Sequence, residues 1–192
     1  MNPFAVFEKR PIVVALAGPN GAGKTTFYHA HLAAAGLRFI NADVLALELG
    51  INATEAMATA NALRRALVVR RESFVFETVF SDPVRDKLSF LADIASQGYT
   101  VVVCYIGIAS AEQSDERVAM RVTQGGHDVP REKLGTRYPR TVANLHAAIR
   151  QLPHVLVFDN SDLGRPFRLV AVFERGQRTT QADPLPDWLE LR

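Results

Sequence analysis

Apolar and polar positions along this chain fall into alternating blocks of two kinds. Short runs such as "PIVVALA", "SFVFE" and "TVVVCYIGI" are apolar at nearly every position, the pattern of strands buried on both faces of a sheet. Between them, apolar residues recur every three or four positions, the pattern of helices that cover such a sheet. The pattern predicts strands at Ile12 to Ala17, Arg38 to Asn41, Ser73 to Glu77, Thr100 to Ile106, His154 to Phe158 and Phe167 to Phe173. It predicts helices at Lys24 to Ala35, Val44 to Leu49, Thr54 to Arg71, Pro83 to Gln97, Ala111 to Thr123 and Arg131 to Gln151. Such alternation implies an α/β domain, a mostly parallel sheet with helices on both faces. At 192 residues one compact domain is expected, with a lid region near residues 111–151 and a proline-marked tail over 177–192. Trp188 should pack that tail back onto the body; the alternative is a docking point for a partner.

The first strand runs directly into "GPNGAGKTTF", which matches G-x-x-x-x-G-K-[ST] at Gly18, Gly23, Lys24 and Thr25. Glycines let successive backbone N–H groups turn inward around a phosphate, at the positive end of the helix that follows. Gly18, Pro19, Asn20, Gly21, Ala22, Gly23, Lys24, Thr25 and Thr26 are therefore the expected phosphate cradle for ATP. Within it, Lys24 would reach the β and γ phosphates and the Thr25 hydroxyl would ligate Mg²⁺. The plainer alternative is a strand-to-helix turn with incidental glycines. The predicted strand before the loop and helix after it favour the phosphate site, and the fold expected is a three-layer P-loop NTPase.

Ligands of such sheets bind beyond the carboxyl ends of the strands, near a topological switch point. Three strand ends carry candidates: Asp43 in "FINAD", Glu77 and Thr78 in "FVFET", and Asp159 to Ser161 in "VFDNS". Asp43 is placed as a general base for an attacking hydroxyl, though an acidic residue before "VLALEL" also suits a helix N-cap. Glu77 and Thr78 are placed in the acceptor pocket.

A basic stretch follows, "DERVAMRVTQGGHDVPREKLGTRYPRTVANL", with Arg117, Arg121, Arg131, Arg137 and Arg140 around Gly125 and Gly126. Arg117 and Arg121 share a helix face, as do Arg140 and Asn144. Two arginine-bearing helices joined by a glycine hinge suit a lid closing over a triphosphate; a solvated face paired with Glu112, Asp115 and Glu116 is the alternative. His127 is expected to order the hinge.

Composition narrows the classes. A formal net charge of +2 gives no reason to expect nucleic acid or an anionic membrane as partner. No run approaches the ~18 apolar residues of a membrane span, and Lys9, Arg10 and the short apolar run after them lead into the phosphate loop rather than a cleavage site, so a cytoplasmic protein is expected. The single cysteine, Cys104, lies inside a strand and reads as core.

Taken together, "GPNGAGKTT", "FINADVLALEL", "FVFET", "RVAMRVTQGGHDVPREKLGTRYPRTVANL" and "VFDNS" resemble the zeta-toxin family, over roughly residues 11–161. The resemblance implies an ATP-dependent, Mg²⁺-using kinase of a small-molecule hydroxyl. By the same resemblance, the best-known members phosphorylate a sugar hydroxyl of UDP-N-acetylglucosamine and are restrained by an antitoxin. It matches Lys24 to the phosphate-loop lysine, Asp43 to the catalytic base, Glu77 to an acceptor-binding glutamate, and Arg117 or Arg121 to a phosphate-contacting lid arginine. One departure is Val79, where the family's sugar-nucleotide kinases place a threonine; here Thr78 stands one position earlier. Other acceptors, an ATP-hydrolysing module that signals to a protein, and a nucleic-acid end kinase remain the rival readings.

Overall fold

The computed structural model describes residues 4–123 and 130–189. Its centre is a seven-stranded sheet: β1 (Ile12–Ala17), β2 (Arg38–Ile40), β3 (Phe74–Thr78), β4 (Thr100–Gly107), β5 (His154–Asp159), β6 (Arg168–Glu174) and β7 (Gln177–Gln181). The spatial order is β2-β3-β1-β4-β5-β6-β7. Strands β2, β3, β1, β4 and β5 run parallel, whereas β6 and β7 continue the sheet antiparallel. β1 lies between β3 and β4, so the loop that follows it emerges at the middle of the carboxyl edge.

Period-two alternation divides the core in two. Val13, Ala15, Phe74, Phe76, Val103 and Val157 face one side, against α3 (Ala53–Val69), α4 (Asp86–Ser96) and α6 (Arg131–Gln151). Ile12, Val14, Leu16, Val75, Cys104 and Leu156 face the other, where Phe27 and Leu32 of the segment after the phosphate loop cover them. Every residue of β1 is fully buried, and each large side chain so buried stabilises the fold by about 1.5–3 kcal/mol relative to exposure. The result is the expected three-layer P-loop NTPase fold. Cys104 is buried, as its strand position implies, and burial pushes its thiol far above the usual range.

The differences from expectation are local. The helix after the phosphate loop is regular only over α1 (Lys24–Phe27), then widens at Tyr28–Leu32 and tightens at Ala33–Ala35. α2 (Ala42–Leu49) begins two residues earlier than the pattern suggests, because Asn41 leaves the strand to cap it. α4 begins at Asp86, three residues after Pro83, with Arg85 in the left-handed region just before it. Gln177–Gln181, expected to be tail, adds an exposed edge strand. α5 (Ala111–Thr123) agrees with the sequence pattern.

Beyond β7 the chain does fold back as expected. Leu189 is buried, and the Trp188 indole packs so tightly on Gly107 that a Cβ at that glycine would overlap the ring. Its Nε1 donates to Asp159 Oδ1 at 3.0 Å, which ties the tail to the end of β5. No helix among the described residues is long and apolar enough to cross a membrane.

Candidate active site

The phosphate loop turns at Gly18, whose φ of +144° and contact with β4 exclude a side chain: a Cβ there would overlap the Ile106 carbonyl oxygen. α5 rests on the other side of the loop, with Ser114 Oγ donating to the Asn20 carbonyl at 2.8 Å. Just after β5, buried Asn160 donates through Nδ2 to the Ala22 carbonyl at 2.9 Å. Three elements thus fix the loop's shape. Among the described residues Asn20 Oδ1 is buried with no hydrogen-bond partner.

Lys24 is 6% exposed and folds back over the loop, donating from Nζ to the carbonyls of Gly18 at 3.1 Å and Pro19 at 2.9 Å. Glu77 Oε1 stands 3.7 Å from the same ammonium. Burial pulls the Lys24 pKa below the ordinary lysine value; Glu77 and then Asp43 oppose that, while Arg121 adds to it. Lys24, Glu77, Asp43 and Arg121 therefore share one electrostatic neighbourhood, although 97 residues of sequence separate Lys24 from Arg121.

Glu77 joins the cluster to the sheet. It lies near the end of β3 directly beside β1, in register with Leu16, and its Oε2 accepts from Thr25 Oγ1 and from Asn41 Nδ2, both at 2.8 Å. Asn41 Oδ1 in turn accepts from the backbone N–H groups of Asp43 at 2.8 Å and Val44 at 3.3 Å. Asn41 is thus the cap of α2, which leaves the exposed Asp43 carboxylate outside the capping role. Asn41 is not among the residues expected at the site; an asparagine between a strand and an apolar helix is the signal that could have found it. Thr78 points to the opposite face from Glu77, and its Oγ1 accepts from the Phe80 backbone N–H at 3.0 Å, so it braces its own turn.

The arginines divide. Arg117 and Arg121 line a cavity of about 310 Å³ beside Gly21, Gly23 and Thr26, walled on its apolar side by Met120, Leu163, Pro166 and Phe167. Arg117 donates from Nη2 to the Ser161 carbonyl at 3.1 Å; partial burial lowers its pKa and Asp159 works against that. Arg131 instead pairs with Asp115, the solvated alternative. Arg137 is half-buried and Arg140 exposed. Asn144, one turn on from Arg140 in α6, is buried, donating to the carbonyls of Phe80 at 2.9 Å and Asp82 at 3.0 Å. Gly125, Gly126 and His127, the expected hinge, lie outside the described residues. A groove of about 410 Å³ at the opposite end of the sheet, lined by Tyr99, Arg150, His154 and Arg175, is remote from this chemistry.

Among the described residues no cluster of three or more His, Cys, Asp or Glu side chains could hold a metal alone. One threonine hydroxyl braced by a carboxylate fits Mg²⁺, a hard cation that keeps waters and takes its other oxygens from substrate phosphates.

The same architecture occurs in solved structures of low sequence identity. The complex of AvrRxo1-ORF1 and -ORF2 with ATP superposes with a TM-score of 0.64 at 20% identity, over 92% of this chain and 62% of that one. The PezAT chromosomal toxin-antitoxin system of Streptococcus pneumoniae gives 0.61 at 20% identity, over 91% and 75% of the two chains. The Pnkp1/Rnl/Hen1 RNA repair complex gives 0.57 at 16% identity, over 91% and 52%. The chain thus spans less than two thirds of the length of the first of these. At 16–20% identity these likenesses show a shared fold. No curated protein matches the sequence. The sequence profile of the AAA domain matches residues 13–137, well over half of the chain, from the first strand through the phosphate loop to Arg137 in α6, and the chain belongs to that family.

Proposed function

We propose that this protein is an ATP-dependent kinase that moves the γ-phosphate of ATP to a hydroxyl of a small molecule, with a UDP-amino-sugar as the leading acceptor. The observation that carries the reading is the geometry around the phosphate loop: Glu77 accepts from Thr25 and stands 3.7 Å from Lys24, Asn41 links Glu77 to the backbone of Asp43, and Arg121 lines the cavity beside Gly21 and Gly23. In this reading the loop N–H groups and Lys24 bind the phosphates, and Arg117 and Arg121 offset charge developing on the transferred group. The apolar wall of Met120, Leu163 and Phe167 suits a base stacked beside them. Mg²⁺ held through Thr25 would supply further charge neutralisation when bound.

Asp43 accepts the proton of the attacking hydroxyl as its oxygen bonds to the γ-phosphorus and the bond to the β,γ-bridging oxygen breaks, leaving ADP. Its exposure and freedom from capping support that role. General-base help of this kind contributes roughly 10²- to 10⁴-fold. Glu77, tied to Thr25 and Lys24, serves the phosphate side at least as much as the acceptor, and the braced Thr78 hydroxyl is the weaker acceptor contact. The fold likeness to a toxin-antitoxin system supports an antitoxin-like protein as partner, and ATP use supports a cytoplasmic setting.

Transfer of labelled γ-phosphate from Mg²⁺ATP to a panel of acceptors led by UDP-N-acetylglucosamine tests the proposal. The expected result is label on an acceptor, abolished in Lys24→Ala and reduced at least about 10²-fold in Asp43→Ala. Label released only as free phosphate, equally in wild type and Asp43→Ala, overturns it in favour of an ATP-hydrolysing module.

A further inference from the structure

Asn41 is 6% exposed and has both ends of its amide engaged with different parts of the site. Oδ1 accepts from the N–H groups of Asp43 and Val44, which anchors the first turn of α2. Nδ2 donates at 2.8 Å to Glu77 Oε2, the same oxygen that accepts the Thr25 hydroxyl at 2.8 Å. Segments far apart in sequence, the helix bearing Asp43 and the carboxylate bracing Thr25, therefore meet at one side chain.

The geometry points to Asn41 as a positioning residue that holds Glu77 on Thr25 for Mg²⁺-nucleotide and sets the Asp43 helix against it. A threonine that ligates a cation presents an oxygen lone pair to the metal and must direct its O–H elsewhere; Glu77 is that acceptor here. Glu77 also faces a competitor, the buried Lys24 ammonium, 3.7 Å from Oε1. A second donor on Oε2 fixes the carboxylate on the Thr25 side. Without it, Glu77 is free to turn into a full ion pair with Lys24, which would leave the Thr25 hydroxyl unbraced and hold the lysine away from phosphate. The inference rests on the reading of Thr25 as a Mg²⁺ ligand, but needs no acceptor to be known.

Two substitutions separate the two ends of the amide. Asn41→Ser retains a capping oxygen and loses the N–H donor; Asn41→Asp retains the cap and the shape and places a carboxylate against Glu77. ATP binding to the full chain is measured by calorimetry with Mg²⁺ and with a chelator, alongside thermal melting. In both variants the gain in ATP affinity brought by Mg²⁺ should fall about tenfold, the scale of other partners that orient metal ligands, with the fold retained in Asn41→Ser. An unchanged Mg²⁺ gain overturns the inference, as does an equal loss with and without Mg²⁺, which marks a purely structural cap. A wild type in which Mg²⁺ brings no gain overturns it as well. Should neither variant fold, Glu77→Gln weakens the same bonds from the acceptor side, and an undiminished Mg²⁺ gain there overturns it. A wild type with a normal Mg²⁺ gain that phosphorylates no acceptor defeats the proposed kinase activity alone.

Discussion

At the scale of single residues, two positions separate backbone demands from charge demands. Gly18 is fixed by the proximity of the Ile106 carbonyl, so Gly18→Ala should destabilise the fold by about 3 kcal/mol and weaken ATP binding, read by urea melts and by titration. Arg64 makes the opposite case. It is buried on α3 with its guanidinium 4.6 Å from the centre of the Phe76 ring, bonded to the Asn61 side chain, and among the described residues no carboxylate pairs with it. Burial, with Arg65 adding, lowers its pKa to about 10. A desolvated cation without a counter-charge costs stability, while its stem packs well. Arg64→Met should therefore leave stability within about 1 kcal/mol of wild type or raise it. A loss beyond about 2 kcal/mol would show the ring contacts to outweigh desolvation.

At the scale of elements, local rules predict what tertiary contacts do not alter. β1, β4 and β5 are apolar at consecutive positions because both faces are covered, and that signal is unambiguous. β7 escapes detection because "QRTTQ" is exposed throughout; an edge strand held by pairing with β6 leaves no hydrophobic trace. At the site, the sequence places the phosphate loop by its spacing and proposes Asp43 from its position after a strand. Asn41 is not, because its importance comes from Glu77, which only the β2-β3 pairing brings beside it. Helical spacing sets Asn144 one turn from Arg140, but spacing does not reveal that Asn144 is buried against the carbonyls of Phe80 and Asp82. The tail is the element most easily perturbed. A methyl at Gly107 would occupy the Trp188 ring's position, so Gly107→Ala should release residues after β7. Faster proteolytic trimming of the tail with the sheet intact is the expected outcome; unchanged trimming would mean that the indole shifts without undocking.

At the scale of the whole molecule, one end of the sheet carries the phosphate loop and the other carries His154. At that second end His154 is half-buried, and burial lowers its pKa; Glu174 opposes the shift, whereas Lys9 and Arg175 reinforce it. A folded-state pKa below the unfolded value of 6.5 means that the unfolded chain binds this proton first as the medium acidifies. The histidine's contribution is thus intact above about pH 6.5 and is lost as pH falls through the range beneath it. Melting curves between pH 7.5 and 5.5 should show a shallower acid decline for His154→Gln than for wild type; identical declines would exclude His154 as a contributor. At the phosphate-loop end, the chain's single tryptophan donates to Asp159, which accepts from Ser161, whose carbonyl receives Arg117. The protein therefore contains its own fluorophore, joined through Asp159 and Ser161 to Arg117, so nucleotide capture should register as a change in intrinsic emission without any attached dye.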